Sequence, residues 1–340
     1  MRILVIRRDN IGDLVCATPL FAALRERYPD AHIAALVNSY NAGVLSGNPA
    51  LDAVHVYTKL KHRGPGESWL GNLLAQLRLH AELRRQAYDY VILAKSGFDR
   101  HGLALARRIR PRHIVGFAPP GEPKAQAITL PVAPAAYAEL HEAEVMMKLA
   151  EALDVHAPPG PLRVFPDPAR VAQWRSRFPA LGRRERRWVA LHISAREPGR
   201  VWPTEKWVSF LANLDSNVVL LWAPGAPGNP RHPGDDEKAA AISTAAGVTL
   251  IPAKTESLED LVAVLSLCDA FIGADGGALH LAAGLGLPIV ALFENIEYKK
   301  RHWRPWQVPY EMVTPQVRQI SDIPVAEVAG AWARLAARLP

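Results

Sequence analysis

Asp275-Gly276-Gly277-Ala278-Leu279-His280 places a carboxylate, two glycines and a histidine where an apolar run, Ala270–Ala274, gives way to a helical pattern. Glycines at such a turn let the backbone approach an anion closely, and a helix N-terminus offers free N–H groups and partial positive charge. The segment therefore reads as a phosphate-binding turn, with His280 in the first helical turn. Plain roles stay open beside that one: Asp275 as a turn or capping residue, and His280 as a satisfied core histidine.

Three other stretches could carry chemistry. In Arg7-Arg8-Asp9-Asn10-Ile11-Gly12-Asp13, an apolar strand runs into a glycine turn and Asp13 opens the next helix. A carboxylate there could take a proton from a hydroxyl nucleophile or simply N-cap the helix. Ser194-Ala195-Arg196-Glu197-Pro198-Gly199-Arg200 and the following Lys206 supply a hydroxyl and cations fit for a diphosphate. Against that, Thr204 could N-cap the helix of Trp207 and leave Lys206 in solvent. In Gly234-Asp235-Asp236-Glu237, a carboxylate such as Glu237 could take a ribose hydroxyl pair or be ordinary acidic enrichment of a first turn.

These residues need elements to hold them. Buried-strand patterns at Ile3–Ile6, His32–Val37, Val54–Val56, Tyr90–Leu93 and His113–Phe117 alternate with helical patterns at Ala17–Tyr28, Leu70–Arg85, Leu103–Ile109 and His141–Leu153. That rhythm specifies a parallel sheet covered by helices. After the Pro/Gly-dense stretch from His156 to Pro168 it restarts with Trp188–Ile193, Asn217–Trp222, Thr249–Ile251, Ala270–Ala274 and Ile289–Phe293, and a terminal helix follows at Val325–Leu339. The chain of 340 residues is long enough for two α/β domains, both doubly wound.

Composition narrows the function classes. Hydrophobic residues make up 49% and charged residues 21%, which argues against extensive disorder. Cys16 and Cys268 sit far apart in apolar contexts and read as buried free thiols of a reducing compartment. There is no apolar run long enough to span a bilayer, and Arg7-Arg8-Asp9 interrupts the first apolar stretch too early for a signal peptide, so a cytoplasmic protein is expected. The net charge of +7 suits nucleic acid, an anionic membrane surface or phosphorylated substrates. The basic residues are scattered apart from the cluster Arg183-Arg184-Glu185-Arg186-Arg187, and the nine tryptophans do not interleave with them as a nucleic-acid stacking surface would require. Zinc-ligand spacing, a Walker A loop and a nucleophile elbow are all missing from the sequence.

Taken in order, Ile11-Gly12-Asp13 with Pro19, Asn48-Pro49 with Val54, His141-Glu142, Trp202-Pro203 and Asp275-x-Gly277-x-x-His280-Leu281-Ala282-Ala283 resemble glycosyltransferase family 9, the lipopolysaccharide heptosyltransferases, over nearly the whole chain. The resemblance implies a GT-B fold, with two Rossmann-like doubly wound domains facing a central cleft. Residues 1–160 would be the acceptor side and 161–322 the nucleotide-sugar side, with 323–340 returning as a helix to the first domain. It further implies an inverting, metal-independent transfer, with no cofactor, from a nucleotide sugar (ADP-heptose in most of the family) to a lipid-linked or saccharide acceptor. Asp13 matches the family's general base, with Asn10 and Gly12 beside it on the acceptor side. Ser194, Arg200, Lys206, Glu237, Asp275, Gly276, Gly277 and His280 would hold the donor.

Four departures bear on the donor: Gly276 replaces a usual Ser or Thr, Ala278 a common Pro, Arg200 a lysine, and Phe293-Glu294-Asn295-Ile296 the usual Phe-Gly-x-Thr. Peripheral association with the anionic inner membrane, and no nucleic-acid partner, complete the expectation. A GT-B nucleotide-sugar epimerase and a nonenzymatic nucleotide-sugar-binding protein are the alternatives.

Overall fold

The strand–helix rhythm resolves, in a computed structural model, into two units, Met1–Gly160 and Pro161–Pro340, each built on its own six-stranded sheet. The structure describes residues 1–57, 69–134, 139–182, 185–226, 228 and 234–339; Arg183 and Arg184 of the basic cluster lie outside the described residues.

The first unit contains strands β1 (Arg2–Ile6), β2 (His32–Asn38), β3 (Ala53–Tyr57), β4 (Tyr90–Leu93), β5 (His113–Phe117) and β6 (Leu130–Val132). They lie in the order β3-β2-β1-β4-β5-β6, every neighbouring pair parallel. Its helices are α1 (Ile11–Cys16), α2 (Thr18–Arg27), α3 (Trp69–Arg85), α4 (Arg100–Ile109) and α5 (Glu142–Glu151). Leu4 of β1 pairs in register with Ala34 and Val91, and all three are fully buried. Parallel strands covered on both faces lose any polar alternation, so β1 reads as an unbroken apolar run. Each leucine so buried contributes about 1.5–3 kcal/mol. The helix expected over Ala17–Tyr28 is preceded by a separate helix: α1 stops at Cys16, and Pro19 sits in the first turn of α2, where its missing N–H costs little.

The second unit has strands β7 (Trp188–His192), β8 (Asn217–Leu221), β9 (Leu250–Pro252), β10 (Ala270–Ala274), β11 (Ile289–Leu292) and β12 (Tyr310–Val313), in the order β12-β11-β10-β7-β8-β9 and again all parallel. Its helices are α6 (Pro168–Arg177), α7 (Thr204–Leu211), α8 (Asp236–Ala245), α9 (Leu258–Leu265), α10 (Gly277–Gly284), α11 (Glu297–His302) and α12 (Val325–Ala336). Trp202, Trp207 and Phe210 fill one side of its core, the two indoles edge to face with centroids 4.6 Å apart. The expected return of the last helix to the first unit is not what its packing shows. Val328, Ala331, Trp332 and Leu335 of α12 join the core formed by Val290, Leu292, Val313 and Phe210, because that apolar stripe finds its partners within its own unit.

Both sheets follow one winding rule. The chain builds outward from β1 or β7 in one direction, then crosses to the other side to begin again at β4 or β10. Loops leaving the carboxyl ends of two adjacent, oppositely wound strands diverge and leave a crevice, which is where open α/β sheets take ligands. Each unit therefore has one such place, at β1/β4 and at β7/β10.

Candidate functional site

At the β1/β4 switch point, the residue leaving β1 is Arg7, only 2% exposed. Its Nη1 donates to the Ala94 carbonyl at 2.6 Å, just past β4, and meets Met146 Sδ of α5 at 3.1 Å. Its Nη2 serves two carboxylates, Asp13 Oδ1 at 2.8 Å and Glu142 Oε1 at 2.7 Å, and Asp9 Oδ2 stands 3.7 Å from Nε. Burial works against the charge of Arg7, but Glu142, Asp13 and Asp9 more than offset it, and the guanidinium is held protonated above its usual range.

Asn10 N-caps α1 and Asp13 occupies the third helical position in a capping box, its Oδ2 accepting the Asn10 N–H at 3.1 Å. Asp13 is thus a box partner of the cap rather than the N-cap itself. Gly12 is buried in the same turn. Behind the loop, buried Asn38 and Asn41 donate to the Arg8 and Asp9 carbonyls, which fixes the path of the chain. Of the two carboxylates on Arg7 Nη2, Glu142 is 1% exposed and Asp13 17%, so only Asp13 can meet a substrate hydroxyl.

The β7/β10 switch point carries the opposite emphasis. Arg200, in a 3-10 turn after β7, directs Nε to Glu294 Oε2 at 3.0 Å, while its Nη1 lies 3.1 Å from Asp275 Oδ2. Nη1 also donates to the Asp275 carbonyl at 3.3 Å. Lys299 of α11 bonds the same Glu294 oxygen. Burial favours the neutral form of Glu294, yet Lys299 and Arg200 outweigh it and hold the carboxyl below its usual range.

Gly276 N-caps α10 and has no side chain of its own to accept from the first N–H groups of the helix, which lack intrahelical partners. Gly276 is extended (φ 168°, ψ −176°), and a Cβ there would meet only the Ala274 carbonyl oxygen, at 3.9 Å. The missing hydroxyl at this position is a matter of chemistry, not of space. Gly273, inside β10, is different, since a Cβ there would come within 2.8 Å of Phe271. His280 is 2% exposed in the first turn of α10 and meets Trp303 edge to face at 5.8 Å.

Arg200, Asp275, Gly276, Gly277 and His280 therefore come together, whereas two other expected donor residues, Ser194 and Lys206, are placed differently. Ser194 gives its only hydroxyl proton to Asp235 and accepts the Ala223 N–H at 2.8 Å, so it ties β7 to β8 and α8 instead of offering a donor to an anion. Lys206 bonds the Ser321 and Ile323 carbonyls at 2.6 and 3.0 Å; it is neither in solvent nor aimed at a phosphate. Pro203, not Thr204, is the N-cap of α7. Asp236 takes the Trp222 indole and Lys254, which hold its carboxyl down at about 2. Glu237 stands exposed in the first turn of α8, as a ribose ligand would.

The sequence reading assigns no role to Arg7, Glu142, Ser96, Glu294 or Lys299. Arg7 pairs with Glu142 and meets Met146, the latter 139 positions away in the chain, and periodicity carries no sign of either contact. Beyond the His141-Glu142 pair of the family resemblance, the usable signal is a charged residue directly after the apolar run Ile3–Ile6, which needs buried partners from elsewhere.

Two units of this kind, each a doubly wound parallel six-stranded sheet flanked by helices, are the architecture of the GT-B class of glycosyltransferases. The chain belongs to glycosyltransferase family 9 (heptosyltransferase), whose family model matches residues 76–322. Among curated proteins it is similar to lipopolysaccharide heptosyltransferase 3 of Escherichia coli K12, 25% identical over 87% of this chain and 82% of the relative. A putative glycosyltransferase of Haemophilus influenzae is 26% identical over 89% and 86% of the two chains. In fold it is similar to a family 9 glycosyltransferase from Veillonella parvula (TM-score 0.81, 19% identity, 98% of this chain and 96% of that one). An E. coli heptosyltransferase solved with ADP-2-deoxy-2-fluoro heptose matches with a TM-score of 0.75 at 19% identity, over 98% and 99% of the chains.

Proposed function

We propose that this chain is an inverting, metal-independent transferase that moves heptose from ADP-heptose to a lipopolysaccharide-core or other saccharide acceptor, with Asp13 as general base. The observation that carries the reading is the partly exposed Asp13 carboxylate, oriented by buried Arg7 and the Asn10 N–H at the carboxyl edge of its sheet. The acceptor hydroxyl gives its proton to Asp13 as its oxygen bonds the anomeric carbon. The bond from that carbon to the diphosphate breaks on the opposite face, and its electron pair leaves with the diphosphate. Developing charge there is met by Arg200, Lys299 and the N–H groups that open α10, groups already fixed in place and so needing little reorganisation. No step in this scheme is given to a metal. The relative bound to an ADP-heptose analogue supports the choice of donor.

Calorimetric titration with ADP, UDP and GDP, with ADP-heptose alongside, tests the donor. Selective binding of ADP and ADP-heptose is expected, and a preference for UDP or GDP would overturn the donor assignment while leaving the family intact.

A cytoplasmic location with peripheral attachment to anionic lipid belongs to the same proposal. No described helix is long and apolar enough to cross a membrane. Residues 78–112, from the C-terminal half of α3 to just past α4, carry nine Lys and Arg against three Asp and Glu. Exposed Leu74 and Leu77 lie on α3 beside that basic surplus. Co-sedimentation with anionic but not neutral vesicles, lost at high salt, is the expected result; equal pelleting with neither would remove the attachment.

A further inference from the structure

Arg7 presents a chemical difficulty for the base assigned above. An arginine beside an aspartate commonly lowers the proton affinity of the carboxylate by about 1–3 pH units. A base weakened that far takes a proton poorly from a sugar hydroxyl. Arg7 is buried, where its field is little screened, and it touches Asp13 directly at 2.8 Å.

The second carboxylate on the same nitrogen resolves this. Glu142, the first residue of α5, reaches Arg7 Nη2 at 2.7 Å, and its other oxygen accepts the hydroxyl of Ser96, three residues past β4. It is 1% exposed, so it has no route to substrate. Its backbone is held by the capping box of α5, in which His141 Nδ1 accepts the Ala143 N–H at 3.0 Å and Glu144 accepts the His141 N–H at 2.7 Å. Arg7 itself is pinned by Ala94 and Met146 and cannot swing wholly to either partner. The two carboxylates therefore divide one fixed guanidinium, one from inside and one from the reacting side.

We propose that Glu142 is a positioning residue that sets the basicity of Asp13, by taking up the charge of Arg7 from the buried side so that Asp13 is oriented by the guanidinium without being silenced by it. This rests on the reading of Asp13 as the base. The other charged and titratable groups facing the pair are Arg8 and Asp9 on the β1–α1 loop, Lys95 and Asp99 beyond β4, and His141 and Glu144 on α5. Asp9 is pushed above its usual range chiefly by burial, with Arg7 opposing the shift and Asp13 adding to it.

The test is Glu142→Gln in the full chain, with two readouts. Carboxylate NMR of the variant beside the parent chain should show the Asp13 midpoint moving to lower pH when one negative neighbour is removed and Arg7 acts on Asp13 alone. The acid limb of the kcat/KM profile should move the same way, with the rate at neutral pH falling roughly three- to tenfold. Glu142→Asp, which keeps the charge but withdraws it by one methylene, should shift both in the same direction by less, and it serves if the glutamine variant does not fold. An unmoved or raised midpoint in either folded variant overturns the inference. The base assignment fails separately: full transfer by Asp13→Asn would reject it whatever the NMR midpoint does.

Discussion

The two switch points share a topology and differ in the sign of their chemistry. At β1/β4, one guanidinium faces three carboxylates, Asp9, Asp13 and Glu142. At β7/β10, two cations, Arg200 and Lys299, face two carboxylates, Asp275 and Glu294, and a glycine-capped helix adds its own partial positive charge. The same winding recurs in both places, and in the proposed function the loop residues decide whether the switch point draws a proton or holds an anion. Topology locates a site, and a handful of side chains outside the sheet determines its use.

If that division of labour holds, substitutions at one point should leave the other's property alone. The largest effect is expected for Asp13→Asn: transfer should drop by roughly 10²- to 10⁴-fold, the usual worth of a general base, with ADP affinity in calorimetry unchanged. A parallel loss of ADP binding would break the comparison. Arg200→Ala comes next. Losing a charge-assisted contact of about 1.5–3 kcal/mol should weaken ADP binding by roughly ten- to a hundredfold, and unchanged affinity would take Arg200 out of the diphosphate site.

Glu294→Gly sharpens the contrast, because it removes the carboxylate that competes for Arg200 and Lys299. ADP affinity should rise about fivefold, as suits a partly exposed pair worth ~1 kcal/mol. A fall would show that Glu294 helps to build the site. Gly276→Ser should change least, shifting ADP affinity by about threefold or less and leaving the melting temperature alone, since the space is already there. A melt lowered by several degrees would contradict that geometry.

Much of this was legible in the sequence wherever burial is two-sided. Tyr90–Leu93, His113–Phe117 and Ala270–Ala274 were read to the residue, because strands covered on both faces show no competing pattern. Edge strands β6 and β12 were not read: Leu130–Val132 contains a proline, and Tyr310–Val313 mixes a glutamate into four residues. Helix α6 lay hidden in the linker pattern, where Asp167-Pro168 is in fact an N-cap followed by a first-turn proline. In the site, Asp13 and the Asp275–His280 turn were visible because their neighbours in sequence are their neighbours in space. Ser194 and Lys206 misled because their partners, Asp235 and the Ser321 and Ile323 carbonyls, arrive from distant elements. A polar side chain in a loop carries no mark of which distant group will claim it.

The edge-to-face contact of His280 with Trp303 also has an optical meaning. Eight of the nine tryptophans lie beyond residue 160, and Trp69 alone precedes it. Excitation of indole therefore interrogates the second unit almost exclusively, while the first is nearly dark. Emission followed through a denaturant series beside circular dichroism would separate the unfolding of one half from that of the whole. An indole resting against the helix that opens at Gly277 also gives the unlabelled protein a native fluorophore at the turn where the nucleotide is proposed to enter.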